Sequence, residues 1–130
     1  MSSIFSKIIA GEIPSYKIYE DDVCLAFLDI NPEERGHTLV VPKVEIDKIY
    51  DLDNKTYTHL FMVAKKLMQN MEEKLEKRII LKVIGVDVPH AHIHLIPYNA
   101  NYQAGKTLEL SQDEFEKIRE ELVFREKLAL

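Results

Sequence analysis

The chain has 130 residues, 46% of them hydrophobic and 30% charged, with a net charge of -5 and a pI of about 5.5. That length and apolar share suffice for a single globular domain over residues 1–130 with its own core. The acidic balance, with Lys and Arg interleaved among Asp and Glu, argues against a nucleic-acid partner, and no stretch approaches the ~20 apolar residues of a membrane span.

Ile4 to Ala10 place apolar groups at helical spacing, and Gly11 supplies the stop that a helix end favours. Pro14 forces an extended approach to Lys17–Glu20; Asp21-Asp22 then turns the chain into the apolar run Val23–Ile30, so a β-hairpin is expected. Cys24, the one cysteine, lies inside that run. It offers neither a disulfide framework nor a cysteine-based zinc motif, and with no apolar leader at Met1–Phe5 the expected location is cytoplasmic. Asn31-Pro32 ends the hairpin, and His37 to Pro42 reads as a buried strand opened by a histidine.

From about Asn54 to Lys77, Leu60, Val63, Ala64, Leu67, Met71 and Leu75 recur every three or four positions and predict the longest helix. His59 falls off that stripe and reads as surface. A strand over 78–84 follows, then a short connection over 85–89, then a strand from His90 closed by Pro97, which should pair antiparallel with the one before it. Residues 99–110 form a polar loop. Ser111-Gln112-Asp113-Glu114 has capping-box spacing and opens a C-terminal helix over 111–128, with Phe115, Ile118 and Leu122 on one face. The order implies an α+β fold, a mostly antiparallel sheet with a long central helix and a C-terminal helix on one side.

Residues 90–95 read His-Ala-His-Ile-His-Leu. In an extended strand His90, His92 and His94 share one face, roughly 6.5 Å apart, while Ala91, Ile93 and Leu95 share the other. One face is then wet and reactive and the other is core. Imidazole is a nucleophile when neutral and a proton donor when charged, both near neutral pH, so three in a row can divide the work of phosphoryl or nucleotidyl transfer. A zinc site is the alternative, since His-x-His is a natural ligand pair, but no Cys, Asp or Glu cluster of ligand spacing lies nearby except Asp87.

His90 to Pro97 resembles the signature of the histidine triad (HIT) family. Residues 4–14, 27–32 and 36–43 resemble the family's Hint branch in order and spacing, so the likeness covers about residues 3 to 98. The resemblance implies the HIT fold and a hydrolase, needing no metal or other cofactor, that acts on purine nucleoside 5′-monophosphates linked to an amine or another leaving group. By the family pattern His92 attacks the α-phosphorus and forms a nucleotidyl-histidine that water cleaves. A backbone carbonyl holds its other nitrogen, His94 contacts phosphate and leaving group, and His90 and His37 complete the imidazole network. Ile4, Phe5, Ile8, Phe27 and Ile30 correspond to the base pocket and Asp29 to the ribose carboxylate. The family also implies a homodimer built on the long helix and sheet edge.

The chain departs from the branch at two places. Gly85-Val86-Asp87 replaces a Gly-Gln-Ser/Thr run, which removes a side-chain amide near the phosphate and adds a carboxylate. Asp87 should disfavour anionic leaving groups such as polyphosphates and favour an amine in its cationic form. Glu45 stands where members often carry another histidine and would either orient His37 or face water. A nucleotide-binding module with little turnover, or a dinucleoside polyphosphate hydrolase, is the remaining alternative.

Overall fold

The computed structural model describes residues 3–128, so the two residues at each end of the expected 1–130 domain lie outside the described residues. Helix α1 spans Ile4–Ile9, strands β1, β2 and β3 span Lys17–Glu20, Cys24–Leu28 and Thr38–Pro42, and α2 spans Asn54–Leu75. Strands β4 (Ile79–Lys82) and β5 (Ile93–Pro97) and helix α3 (Gln112–Leu122) complete the order. A short 3-10 turn at Ile49–Asp51, which no sequence pattern announced, precedes α2.

The β1–β2 hairpin is closed by Asp21, whose Oδ1 accepts from the backbone N–H groups of Val23 and Cys24. Its Oδ2 takes the Tyr19 hydroxyl and His59 Nε2, both at 2.6 Å. His59 is therefore not plain surface. From α2 it reaches back to a carboxylate buried at the hairpin turn, where a buried charge needs hydrogen-bond partners within the protein.

The five described strands form one sheet in the order β1-β2-β3-β5-β4, every neighbouring pair antiparallel. After β3 the chain crosses over through α2 to β4 at the edge and returns as β5 into the middle. Alternation then divides the strands between two cores. Ala26, Leu28, Val40, Ile93 and Leu95 pack under Leu60, Val63, Leu67 and Met71 of α2 and Phe115, Ile118 and Leu122 of α3. Leu25, Phe27, Leu39 and Val41 point the other way and are covered by Phe5 and Ile8 of α1. The long central and C-terminal helices lie on one side as expected, whereas α1 lies on the second face, because that face is also apolar and α1 presents two buried anchors to it.

Element ends differ from the expected ones for local reasons. α2 stops at Leu75 because Glu76 turns left-handed, at φ 55°, and its N–H closes on Glu72. The expected strand over 78–84 shrinks to β4. The expected helix over 111–128 ends at Leu122, although its capping box forms in full, with Ser111 and Glu114 each accepting from the other's backbone N–H. Beyond it Phe124 N–H donates to Ile18 O at 2.8 Å and Leu128 N–H to the Tyr19 hydroxyl at 3.1 Å, so the tail lies extended along β1. Docking Phe124 and Leu128 against the core outweighs another helical turn in water.

Gly36 sits at the joint that feeds β3, with φ +98°. A Cβ there would meet Leu75 Cδ1 at 3.1 Å and Pro97 Cγ at 3.2 Å. Gly36→Ala combines backbone strain with overpacking of the α2–β5 contact and should cost about 2 kcal/mol. The check is the urea midpoint, which should fall; an unchanged midpoint would mean that this joint is loose.

Candidate active site

The histidine segment is only partly a strand. β5 begins at Ile93, and His90 and His92 precede it, which corrects the expected strand start at His90. Pro89 has no N–H to donate, His90 N–H turns back to Val88 O at 2.8 Å, and Ala91 N–H goes to Ile46 O at 2.7 Å. Residues 88–91 thus bond to themselves and to the loop after β3 rather than to the ladder. The alternation survives: Ala91, Ile93 and Leu95 lie in the core under α2, while His92 and His94 face a cavity on the other side.

That other side is covered rather than wet. His37, His90, His92 and His94 are 2%, 0%, 2% and 6% exposed. Burial disfavours the charged imidazole, and adjacent imidazoles add to the effect. Burial and then His94 push His37 down to about 3; burial and then His92 push His94 down to about 4. His90 is also lowered, chiefly by burial. The same burial raises the Asp29 carboxyl.

Neutral imidazole carries one N–H and one lone pair, so each fixed partner assigns a proton. His92 Nδ1 lies 2.7 Å from the backbone oxygen of His90 and must donate to it. Its Nε2 then bears the lone pair, and it has no hydrogen-bond partner. Asp87 Oδ1 is 3.3 Å from it, a close approach without hydrogen-bond geometry. His90 Nε2 likewise donates to Pro42 O at 2.8 Å, leaving Nδ1 to accept from the Ser3 hydroxyl at 2.8 Å. His90 therefore serves His92 through its carbonyl, and its ring anchors the segment.

A second chain of assignments runs through His37. The backbone N–H of Glu33 donates to His37 Nδ1 at 2.9 Å, so the proton of His37 is on Nε2. That Nε2 lies 2.9 Å from His94 Nδ1 and 3.5 Å from Asp29 Oδ2. Accepting at Nδ1 leaves His94 with its proton on Nε2, which is buried and otherwise unpartnered. The site thus holds a lone pair on His92 and an N–H donor on His94, side by side, with ring centroids 5.0 Å apart.

The cavity beside them has a volume of about 380 Å³. Ile4, Phe5, Ile8, Phe27, Asp29, Ile30, Asp87, His37, His92 and His94 all line it, so the structure brings together every candidate residue except the His90 ring. Phe5 packs edge-on to Phe27 and His92, at 5.7 and 4.9 Å between centroids. Ile4 and Ile30 are the exposed apolar lips, 48% and 61% accessible. Sequence reasoning missed Glu33, Ile84, Val88 and Thr107 on the same wall. It also missed Ser3 and Ser6, and it misplaced Glu45, whose carboxylate accepts from Ser3 N–H and the Ser6 hydroxyl at the start of α1. Glu45 neither orients His37 nor simply faces water: it pins α1 against His90. Such pairings span about 40 residues of sequence and leave no local pattern.

Two carboxylate–imidazole groups here, Asp29 with His37 and His94 and Asp87 with His92 and His94, bring three ligand atoms within 4.8 Å. Both need a lone pair that the hydrogen bonds have already assigned: His94 Nε2 carries a proton, and His37 Nε2 donates to His94. Binding a metal there would require both tautomers to invert against Glu33 N–H. A third group, Asp21, Cys24 and His59, has its carboxylate already bonded, and burial pushes the Cys24 thiol up, away from the thiolate a metal wants.

Fold and site together define an antiparallel α+β domain with an unprotonated imidazole nitrogen at the floor of an apolar cleft. The HIT domain model of protein families matches residues 10–101, and the chain belongs to the HIT family. An uncharacterized HIT-like protein of Borreliella burgdorferi is 38% identical over 88% of this chain and 91% of its own. The adenosine 5′-monophosphoramidase of Schizosaccharomyces pombe is 33% identical over 94% of this chain and 96% of its own. Among solved structures, a Hit-like protein from Bartonella henselae superposes with a TM-score of 0.85 at 28% identity, covering 93% of both chains.

The depressed histidines make stability depend on pH in a stated direction. An unfolded imidazole titrates near 6.5, the folded ones near 4 and 3. Between those values the unfolded chain binds protons that the folded chain refuses, so the stability contributed is full above about pH 6.5 and is lost as pH falls toward 4. Asp21 and Glu33, which hydrogen bonds hold near 2 against their burial, lose theirs only at lower pH. Urea midpoints from about pH 7.5 down to about pH 5 should therefore decline, and His37→Gln should flatten the decline. Equal slopes in the two proteins would contradict the buried neutral pair.

Proposed function

We propose that this protein is a purine nucleoside 5′-phosphoramidase, cleaving the bond between the phosphorus of AMP or GMP and an amine through a nucleotidyl-histidine. The observation that carries the reading is the His92 Nε2 lone pair, buried, unpartnered and held toward the cavity by the Nδ1 bond to His90 O. The name of the S. pombe relative supports the same class. The base would lie against Ile4, Phe5, Ile8, Phe27 and Ile30, whose exposed lips suit an aromatic ring, and Asp29 would accept the ribose hydroxyls.

His92 Nε2 attacks phosphorus and forms a P–N bond; the bond to the leaving amine breaks, and the amine departs with its electron pair and takes a proton from solvent. The His90 carbonyl supports the cationic ring that results. Water then attacks phosphorus, the P–Nε2 bond breaks, the electron pair returns to His92, and the water's proton goes to solvent. His94 Nε2–H offers a hydrogen bond to the phosphoryl oxygens in both halves. Asp87, beside the nucleophile, favours positive charge there and repels anionic leaving groups. The exposed edge of β4, with Phe61 and Met68 of α2 and Leu81 bordering a groove, is the face on which we place a second copy, giving a homodimer.

The decisive experiment is turnover of an adenosine 5′-phosphoramidate carrying a fluorescent amine, with and without chelator. Wild type should be active and indifferent to chelator, while His92→Ala should lose at least about 10^3-fold in kcat and keep nucleotide binding. Binding without turnover in wild type would make the chain a nucleotide-binding module instead, and loss on chelation would require a metal. The leaving-group argument has its own check. Asp87→Ser should shift the ratio of kcat/KM for phosphoramidates over dinucleoside polyphosphates by about 10-fold toward the latter; an unchanged ratio removes Asp87 from specificity.

A further inference from the structure

Glu33 lies outside the triad, yet the proton positions at the site lead back to it. Its backbone N–H is the one obligate donor in the chain that runs from Glu33 to His37 to His94; reverse it and every assignment downstream reverses. What fixes that N–H is the side chain of the same residue. Glu33 Oε1 accepts from Lys82 Nζ at 2.9 Å and from the Tyr102 hydroxyl at 2.8 Å, and Oε2 accepts from the backbone N–H of Gly105 at 2.7 Å. Lys82 also reaches the Tyr102 hydroxyl at 3.2 Å.

The three anchors come from two places that matter. Lys82 on β4 pairs directly with His94 on β5, so its side chain rises on the histidine face next to that ring. Tyr102 and Gly105 belong to the loop over 99–110, which is tied down further by Leu108 N–H on Pro32 O at 2.7 Å and brings Thr107 to the cavity wall. Burial works against the Glu33 carboxylate, but these donors outweigh it and hold its pKa near 2, so it stays charged and bonded across the working pH range. The charge of Lys82 is spent on Glu33 and not on a substrate phosphate.

We propose that Glu33, clamped by Lys82, Tyr102 and Gly105, is a positioning residue that sets the His37 tautomer and so keeps the proton of His94 on Nε2, toward the cavity. This deepens the reading given under Proposed function and rests on it for the catalytic consequence, though not for the tautomer. With the clamp closed, His94 presents a hydrogen-bond donor to an anionic phosphoryl oxygen; no bond to hydrogen breaks. With the clamp open, Glu33 N–H is free to leave His37 Nδ1, and both rings can invert, turning a lone pair on His94 toward an anion that it repels. The loop over 99–110 is thereby coupled to the chemistry without touching the reacting atoms.

The test pairs histidine ring 15N NMR with kinetics on the full-length protein. Wild type should show His37 and His94 both neutral and protonated at Nε2. Glu33→Ala should give His94 a substantial Nδ1–H population and lower kcat by about 10-fold to 100-fold with little change in KM. Tyr102→Phe, which removes one anchor and leaves the ion pair, should move both readouts in the same direction by less and covers the case in which Glu33→Ala does not fold. A wild-type His94 protonated at Nδ1, or an Nε2 tautomer that persists in both variants, overturns the proposal. Because the tautomers are read without substrate, an inactive wild type with the expected tautomers would count against the phosphoramidase reading alone.

Discussion

The hydrogen bond from His92 Nδ1 to the carbonyl of His90, 2.7 Å long, decides what the rest of the site can be. A neutral imidazole free to choose its tautomer points its lone pair in two directions by turns. Fixed at Nδ1, it points in one. The carbonyl can do this only because the His90 backbone is itself immobile. Its ring is fully buried, with one nitrogen on Pro42 O and the other on Ser3. Ser3 is the N-cap of α1 and is held in turn by Glu45. The orientation of the His92 ring thus depends on the first helix and on the loop after β3.

Sheet geometry explains why so short a segment can serve two masters. β5 lies between β3 and β4, with hydrogen bonds on both sides. Its odd positions are fixed in the core under α2, which leaves His94 no freedom of register: a slip by one residue would turn two imidazoles toward Leu67 and Met71 and move Ile93 and Leu95 to the cavity face. The histidine face inherits its precision from packing on the opposite face. α1 then closes the histidine face with Phe5, which meets Phe27, His90 and His92 edge-on and covers those two imidazoles with an apolar ring.

The parts legible in the sequence were those encoded by short period. The alternation of 90–95 placed Ile93 and Leu95 in one core and His92 and His94 toward the other face, and the stripe from Leu60 to Met71 placed α2 over the first core. The capping box at Ser111 located the start of α3. Resemblance added the apolar wall and Asp29, which periodicity alone left as ordinary core and turn. What stayed hidden was long-range polar pairing: His59 with Asp21, Glu45 with Ser3, Glu33 with Lys82 and Gly105. Each of these residues looks like solvated surface, because charge in a sequence carries no mark of its partner. The strand start at His90 failed for a related reason, since what unpaired 88–91 from the ladder was Ile46, a residue of a distant loop.

The charge of the cavity carries the last step. Among the described residues that line it, Asp29, Glu33 and Asp87 are carboxylates and none is Lys or Arg; Lys82, adjacent to His94, is bonded to Glu33. A site built for a polyphosphate would concentrate cations, because several anionic charges crowded into a low-dielectric cleft repel one another and any carboxylate nearby. Here the hydrogen-bond donor established at the cavity is uncharged, the Nε2–H of His94. In the mechanism we propose, such a site takes one phosphoryl group, whose charge falls when the lone pair of His92 enters and a cationic ring forms beside Asp87. On the mechanism we propose, the feature that would exclude a polyphosphate is therefore the same one that would stabilise a nucleotidyl-histidine, and both preferences would come from one carboxylate 3.3 Å from His92 Nε2.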